Sequence, residues 1–165
     1  MPMTRRQWMA LLSALGMGSA AKHAAAAPAV PAQRSDRLEL PAAEWRRRLS
    51  PAQYAVLRDE GTERPFSSPL NDEKRAGTYV CAGCKLPLFA HTAKFDSGTG
   101  WPSFHSPLPG ALGTRTDFKM ILPRTEYHCA RCGGHQGHVF DDGPRPTGRR
   151  YCNNGVALRF EVAAA

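Results

Sequence analysis

No apolar run in this chain of 165 residues approaches the about 20 residues that a membrane-spanning helix requires, so no stable membrane insertion is expected. Internal repeats and heptad patterns are absent too, which excludes solenoids and coiled coils. The chain also lacks a basic stripe. Its net charge of +8 comes mostly from residues 1–50, with eight Lys/Arg against three Asp/Glu. Residues 51–165 carry fourteen against eleven, a near balance with the signs interspersed. A nucleic-acid partner is therefore not expected. Long β-like runs are scarce as well: few exceed seven residues. Burial alone would build a modest core, and something besides it must hold the domain.

The first residues do not read as domain. Met1–Ala27 carries Arg5-Arg6, an uncharged and mostly apolar run from Gln7 to Ala21, and small residues ending in an A-x-A site at Ala25-Ala26-Ala27. That order matches a cleaved export signal of twin-arginine type, which places the protein outside the cytoplasm, in a periplasm. A mitochondrial-type presequence or an amphipathic anchor is the alternative, and a run apolar on all sides favours export. Residues 28–40, rich in Ala, Pro and charge, read as a linker, and residues 41–163 as the domain.

Within the domain, Ser50-Pro51 marks a helix start, a Ser N-cap with Pro at the first helical position, and Gly61 a stop. A shorter helical piece precedes it at 43–49. From Gly61 onward β-like runs (78–80, 118–122, 127–129, 138–140, 156–162) alternate with turns rich in Gly, Pro and Asp. The expected class is mainly β, with antiparallel sheets, long loops and peripheral N-terminal helices.

Four of the five cysteines form two C-x-x-C turns, Cys81/Cys84 and Cys129/Cys132. Each turn can wrap two thiolates around one ion, and the two together complete a tetrahedral, all-sulfur zinc site with no open position. Such a site stabilises but does not catalyse. The 44 residues between the turns make it a pin joining distant hairpins. Two disulfides, or one thioredoxin-like redox pair, are the competing readings; the duplicated spacing favours zinc.

Cys152, in "GRRYCNNG", has no partner at short spacing. If this stretch is extended, Arg150, Cys152 and Asn154 share one face. Arg150 would favour the thiolate, and Asn154 would offer an amide donor. An inert buried cysteine is the bland alternative, against which the polar neighbours argue. "GGHQGHVFDDG" supplies His135, His138 and Asp142, and "DSGTGWPSF" puts Trp101 on a Gly-rich turn. The histidines can also be read as structural, and the indole as a lid on the core.

The motifs GWPSF, GHVFDDGP and RYCNNG, in this order around two C-x-x-C turns, resemble the methionine-R-sulfoxide reductases of type B, from about Glu44 to Phe160. The resemblance implies two small antiparallel sheets, peripheral helices and a structural zinc. It implies reduction of the R epimer of peptide-bound methionine sulfoxide, with Cys152 as nucleophile. His138 and Asn154 would then stabilise the sulfoxide oxygen, and Asp142 and His135 would orient them. Arg150 and Trp101 complete the site, the indole receiving the substrate methyl group. Many members carry cysteine between the glycines before this Trp; here Thr99 stands there, so no resolving thiol is apparent. A thioredoxin-like protein or a small thiol is the expected reductant. A zinc-ribbon module binding nucleic acid or protein is the rival; it explains the four paired cysteines but not Cys152.

Overall fold

The computed structural model describes residues 35–120 and 122–164. The signal read at 1–27 and the first part of the linker lie outside them. The later linker residues are part of the packed body. Leu38 donates its N–H to the Arg131 carbonyl and packs against the core, and Asp36 pairs with Arg131 at 2.8 Å.

Among the described residues two short helices come first, α1 (Ala42–Arg48) and α2 (Pro51–Leu57). Ser50 caps α2 in a full capping box with Gln53, as the Ser-Pro signal predicts. The helix ends at Leu57, before the expected Gly61, and the chain turns through Glu60 at positive φ.

Nine strands follow among the described residues: β1 (Gly77–Cys81), β2 (Pro87–Ala90), β3 (Lys94–Phe95), β4 (Ser103–Phe104), β5 (Leu112–Asp117), β6 (Arg124–Cys129), β7 (His135–Phe140), β8 (Arg150–Asn153) and β9 (Leu158–Val162). All pairings are antiparallel. One sheet runs β2-β1-β9, the other β3-β4-β8-β7-β6-β5. The fold class is therefore as expected.

One predicted strand is absent. Residues 118–120 and 122 lie in the loop between β5 and β6, with Phe118, Met120 and Leu122 all exposed. Their side chains have β-forming character but no second sheet to cover them, so burial, not residue type, decides.

Aromatic rings fasten the two sheets together. Phe89 of β2 stacks on Phe104 of β4 at 4.1 Å, and Tyr79 of β1 meets Phe104 edge-on at 4.9 Å. Tyr127 and Tyr151 extend the cluster at 5.4 Å. Such pairs contribute about 1 kcal/mol each beyond their buried area. This cluster backs the sheet whose far side carries the chemistry.

Candidate active site and metal centre

Strand β8 lies between β4 and β7, and its register fixes the site. Cys152 stands opposite Ser103 on one side and His138 on the other, and His138 in turn stands opposite Glu126 of β6. Directly opposed residues project from the same face, so Ser103, Cys152, His138 and Glu126 form one row across four strands. The strands approach so closely that a Cβ on Gly137 would lie 1.9 Å from the Cys152 carbonyl oxygen. Only glycine fits there, which accounts for the first residue of "GHVF".

Cys152, His138, Trp101 and Asn154 line one cavity of about 130 Å³, together with Thr62, Arg124, Gly137, Phe140 and Asn153. That volume is of the class that admits a group the size of benzene. Trp101 is steadied by its indole N–H, which donates to the Glu63 carbonyl at 3.2 Å. Asn154 is held at both ends: its Oδ1 accepts from Glu63 N–H at 3.0 Å, and its Nδ2 donates to the Gln136 carbonyl at 3.0 Å. Nδ2 carries two hydrogens, of which this bond uses one. The Glu63 carboxylate in turn receives the backbone N–H groups of Gly155 and Val156 at 2.5 and 2.9 Å. A single residue, 91 positions from Asn154, thus sets the indole, the amide and the turn after β8.

Electrostatics around the thiol are contested. Burial pushes the Cys152 thiol above its ordinary value; Arg150 and hydrogen bonding from Thr99 and Arg150 pull it down but do not win. Arg150 therefore favours the thiolate, as its place on the strand suggested, without making it the resting state. Burial also pushes the His138 imidazole below its ordinary value, against the opposing pull of Asp117.

The remaining sequence-identified residues fall into two groups. Arg150, buried on β8, is gripped by Asp142 through two hydrogen bonds of 2.9 and 2.8 Å and stacks over Phe140 at 4.4 Å. Asp142 makes this pair, not a contact with either histidine. The histidines find their carboxylates elsewhere: His138 Nε2 on Asp117 at 2.7 Å, and His135 Nδ1 on Glu126 at 2.7 Å. His135 is buried behind the cavity, its ring 5.5 Å from that of His138. Glu63, Asp117 and Glu126 escaped the sequence reading. Each acts across 9 to 93 residues of chain, so no local pattern marks them.

The four paired cysteines meet at one point, their sulfurs all within 4.8 Å of one another. Cys81 and Cys132 are 3.7 Å apart, Cys84 and Cys129 3.5 Å. Disulfides need about 2.05 Å, whereas a tetrahedral zinc with Zn–S of about 2.3 Å has edges of about 3.8 Å. The spacing fits the metal, so these four cysteines form a site for one ion, consistent with zinc. The two turns are built alike. Lys85 N–H donates to the Cys81 carbonyl and Gly133 N–H to the Cys129 carbonyl, and both of these fifth residues have positive φ, 61° and 66°. Gln136, fully buried, donates its Nε2 to Cys81 Sγ at 3.5 Å while its Oε1 accepts from Asn153 at 3.4 Å. The metal centre and the strand of the nucleophile candidate share this side chain.

A lone cysteine in a fitted pocket, with four others taken by a closed metal site, defines a thiol-dependent oxidoreductase. A family profile, the SelR domain, matches residues 49–162. Two bacterial relatives are both named peptide methionine sulfoxide reductase MsrB. The one from Bradyrhizobium diazoefficiens is 57% identical over 119 residues, covering 72% of this chain and 86% of that protein. The one from Pseudomonas putida is 56% identical over 119 residues, covering 72% and 90%. A chloroplastic peptide methionine sulfoxide reductase B1 from Arabidopsis thaliana is 45% identical over 152 residues, covering 92% and 75%. The chain belongs to the SelR domain family, the type B methionine-R-sulfoxide reductases.

Proposed function

We propose that this protein reduces the R epimer of methionine sulfoxide in proteins with Cys152 as the attacking thiol. The observation that carries the reading is the convergence of Cys152, His138, Trp101 and Asn154 on one cavity that admits a single side chain. The methyl group of the sulfoxide lies against the Trp101 ring, where sulfur–aromatic contact is favourable. His138 and the free Asn154 N–H face the oxygen, whose protonation makes the sulfur electrophilic. Cys152 attacks that sulfur and forms an S–S bond; the protonated oxygen then passes to the Cys152 sulfur as the S–S bond and the methionine S–O bond break. Methionine leaves, reduced by two electrons, and the enzyme holds a sulfenic acid, oxidised by two. The metal centre braces the fold and takes no part in these steps.

Recycling then needs a thiol from outside, because Thr99 occupies the place of a resolving cysteine and the other four sulfurs are gathered at the metal site. A thioredoxin-like protein or a small thiol suits this role. The twin arginines and apolar run of residues 1–27 support export to a periplasm and repair of oxidatively damaged proteins there. The binding-module reading accounts for the metal but gives the Cys152 cavity nothing to do.

The test uses both epimers of a blocked methionine sulfoxide with dithiothreitol. The R form is consumed and the S form spared, and Cys152→Ser abolishes turnover. A fully active Cys152→Ser protein would end the proposal.

A further inference from the structure

At a sulfoxide sulfur the R and S epimers differ only by the exchange of two substituents. With the sulfur toward Cys152 and the side-chain arm at the mouth of the cavity, methyl and oxygen trade places. A site that accepts one epimer must therefore fix two positions against each other, an apolar one and a donor-lined one. Here those positions are Trp101, just before β4, and Asn154, directly after β8, and both line the same cavity.

One residue joins them through its main chain. The Glu63 carbonyl accepts the indole N–H at 3.2 Å, and the Glu63 N–H donates to Asn154 Oδ1 at 3.0 Å. An indole has a single N–H, so this bond takes up the ring's whole donor capacity. Residues 61–64 belong to no helix or strand, and no ladder holds Glu63 in place. Its carboxylate does: Oε1 and Oε2 accept the N–H groups of Gly155 and Val156 at 2.5 and 2.9 Å. Such charge-assisted bonds are about twice as strong as neutral ones. The seat is tight. A Cβ on Gly155 would lie 1.9 Å from Ser68 Oγ and 3.2 Å from Glu63 Oε1, so a side chain there would disturb it.

We infer that Glu63 is a positioning residue for epimer selection: its carboxylate anchors the peptide that holds the methyl wall and the oxygen donor at one separation and angle. The inference rests on the proposed reaction at Cys152. Asn154 keeps a second tether, from its Nδ2 to the Gln136 carbonyl, whereas the indole N–H has Glu63 alone. Loosening Glu63 therefore frees the wall more than the donor. The R epimer loses in KM more than in kcat, and the place kept for its methyl group opens to the oxygen of the S epimer.

The experiment measures kcat/KM for each epimer of a blocked methionine sulfoxide, in the metal-loaded protein with dithiothreitol. Glu63→Gln keeps the shape but sets an NH2 donor against one of the two backbone N–H groups. It lowers the R-to-S ratio about tenfold, through a higher KM for R and a measurable S turnover. Partial unfolding lowers both epimers alike, so the ratio separates positioning from stability. Trp101→Phe keeps a ring and removes the indole N–H; it lowers the ratio too, and the double variant falls by less than the product of the two. An unchanged ratio in Glu63→Gln, S turnover that stays undetectable included, overturns the inference, as do multiplicative effects in the double variant. If Glu63→Gln does not fold, an unchanged ratio in Trp101→Phe does so. These outcomes are read against a parent that consumes the R form; a parent that consumes neither epimer ends the proposed reaction instead.

Discussion

Cys152 and His138 face each other directly across β8 and β7, and burial moves their titrations apart, the thiol upward and the imidazole downward. Between those two values the pair shares one titratable proton, on sulfur or on nitrogen, and in the proposed reaction that is the proton the sulfoxide oxygen takes. Single-turnover methionine release is therefore flat across neutral pH. It falls on the acid side only below the ordinary imidazole value of about 6.5, and on the alkaline side only above the ordinary thiol value of about 8.5. His138→Gln removes the acid limb and lowers the plateau about a hundredfold. A narrow bell centred between those ordinary values would contradict the pairing.

Trp101→Ala tests the wall of the cavity. The indole is fixed by Glu63 and lines the cavity beside Cys152, where the proposed substrate methyl group would meet it. Its loss raises KM about tenfold or more and opens the thiol to water, so the pH midpoint for alkylation of Cys152, held up by burial, moves down.

Glu126 and His135 are each 3% exposed and hold one another at 2.7 Å. Burial alone would raise the Glu126 carboxyl, but His135 and Arg115 bring it below its ordinary value. Its folded pKa thus lies below the unfolded value of about 4.3. The stability it contributes is complete above that value and fades as pH falls through the folded one. Glu126→Ala costs about 2 kcal/mol at pH 7 by denaturant unfolding. Glu126→Gln, which keeps an acceptor for His135, costs less and flattens the acid dependence.

Removing the metal loosens both ends of the Gln136 bridge. Chelation lowers Tm by more than about 10 °C, as expected where metal binding supplies folding free energy. Gln136→Leu leaves Cys81 Sγ without its N–H donor and Asn153 without its acceptor. The expected result is faster metal release to a chromogenic chelator together with a lower kcat. A variant that keeps its metal like the parent and loses no activity would show the bridge to be idle.

The motifs carried much of this in plain view. GWPSF, GHVFDDGP and RYCNNG placed Trp101, His138, Cys152 and Asn154 in one cavity, and the C-x-x-C pairs placed the metal. The carboxylates behind the histidines were invisible, because Asp117 and Glu126 arrive by strand register and not by spacing along the chain. Asp142, four residues past His138 along the chain, pairs instead with Arg150, eight residues on, through two hydrogen bonds. Strand β5 gives little signal in the sequence because its residues are largely exposed, and 118–122 reads as a strand because its residues are mostly apolar. In both cases solvent exposure ran against residue type.

The cavity's volume imposes an order in time. With Cys152 as the proposed nucleophile and about 130 Å³ in front of it, methionine would have to vacate before a reducing sulfur enters. Oxidant and reductant take turns at one door, and the oxidised enzyme must exist free between them. Double-reciprocal plots at several fixed reductant concentrations will therefore run parallel, and the enzyme's working state in a cell will be set by whichever visitor is scarcer.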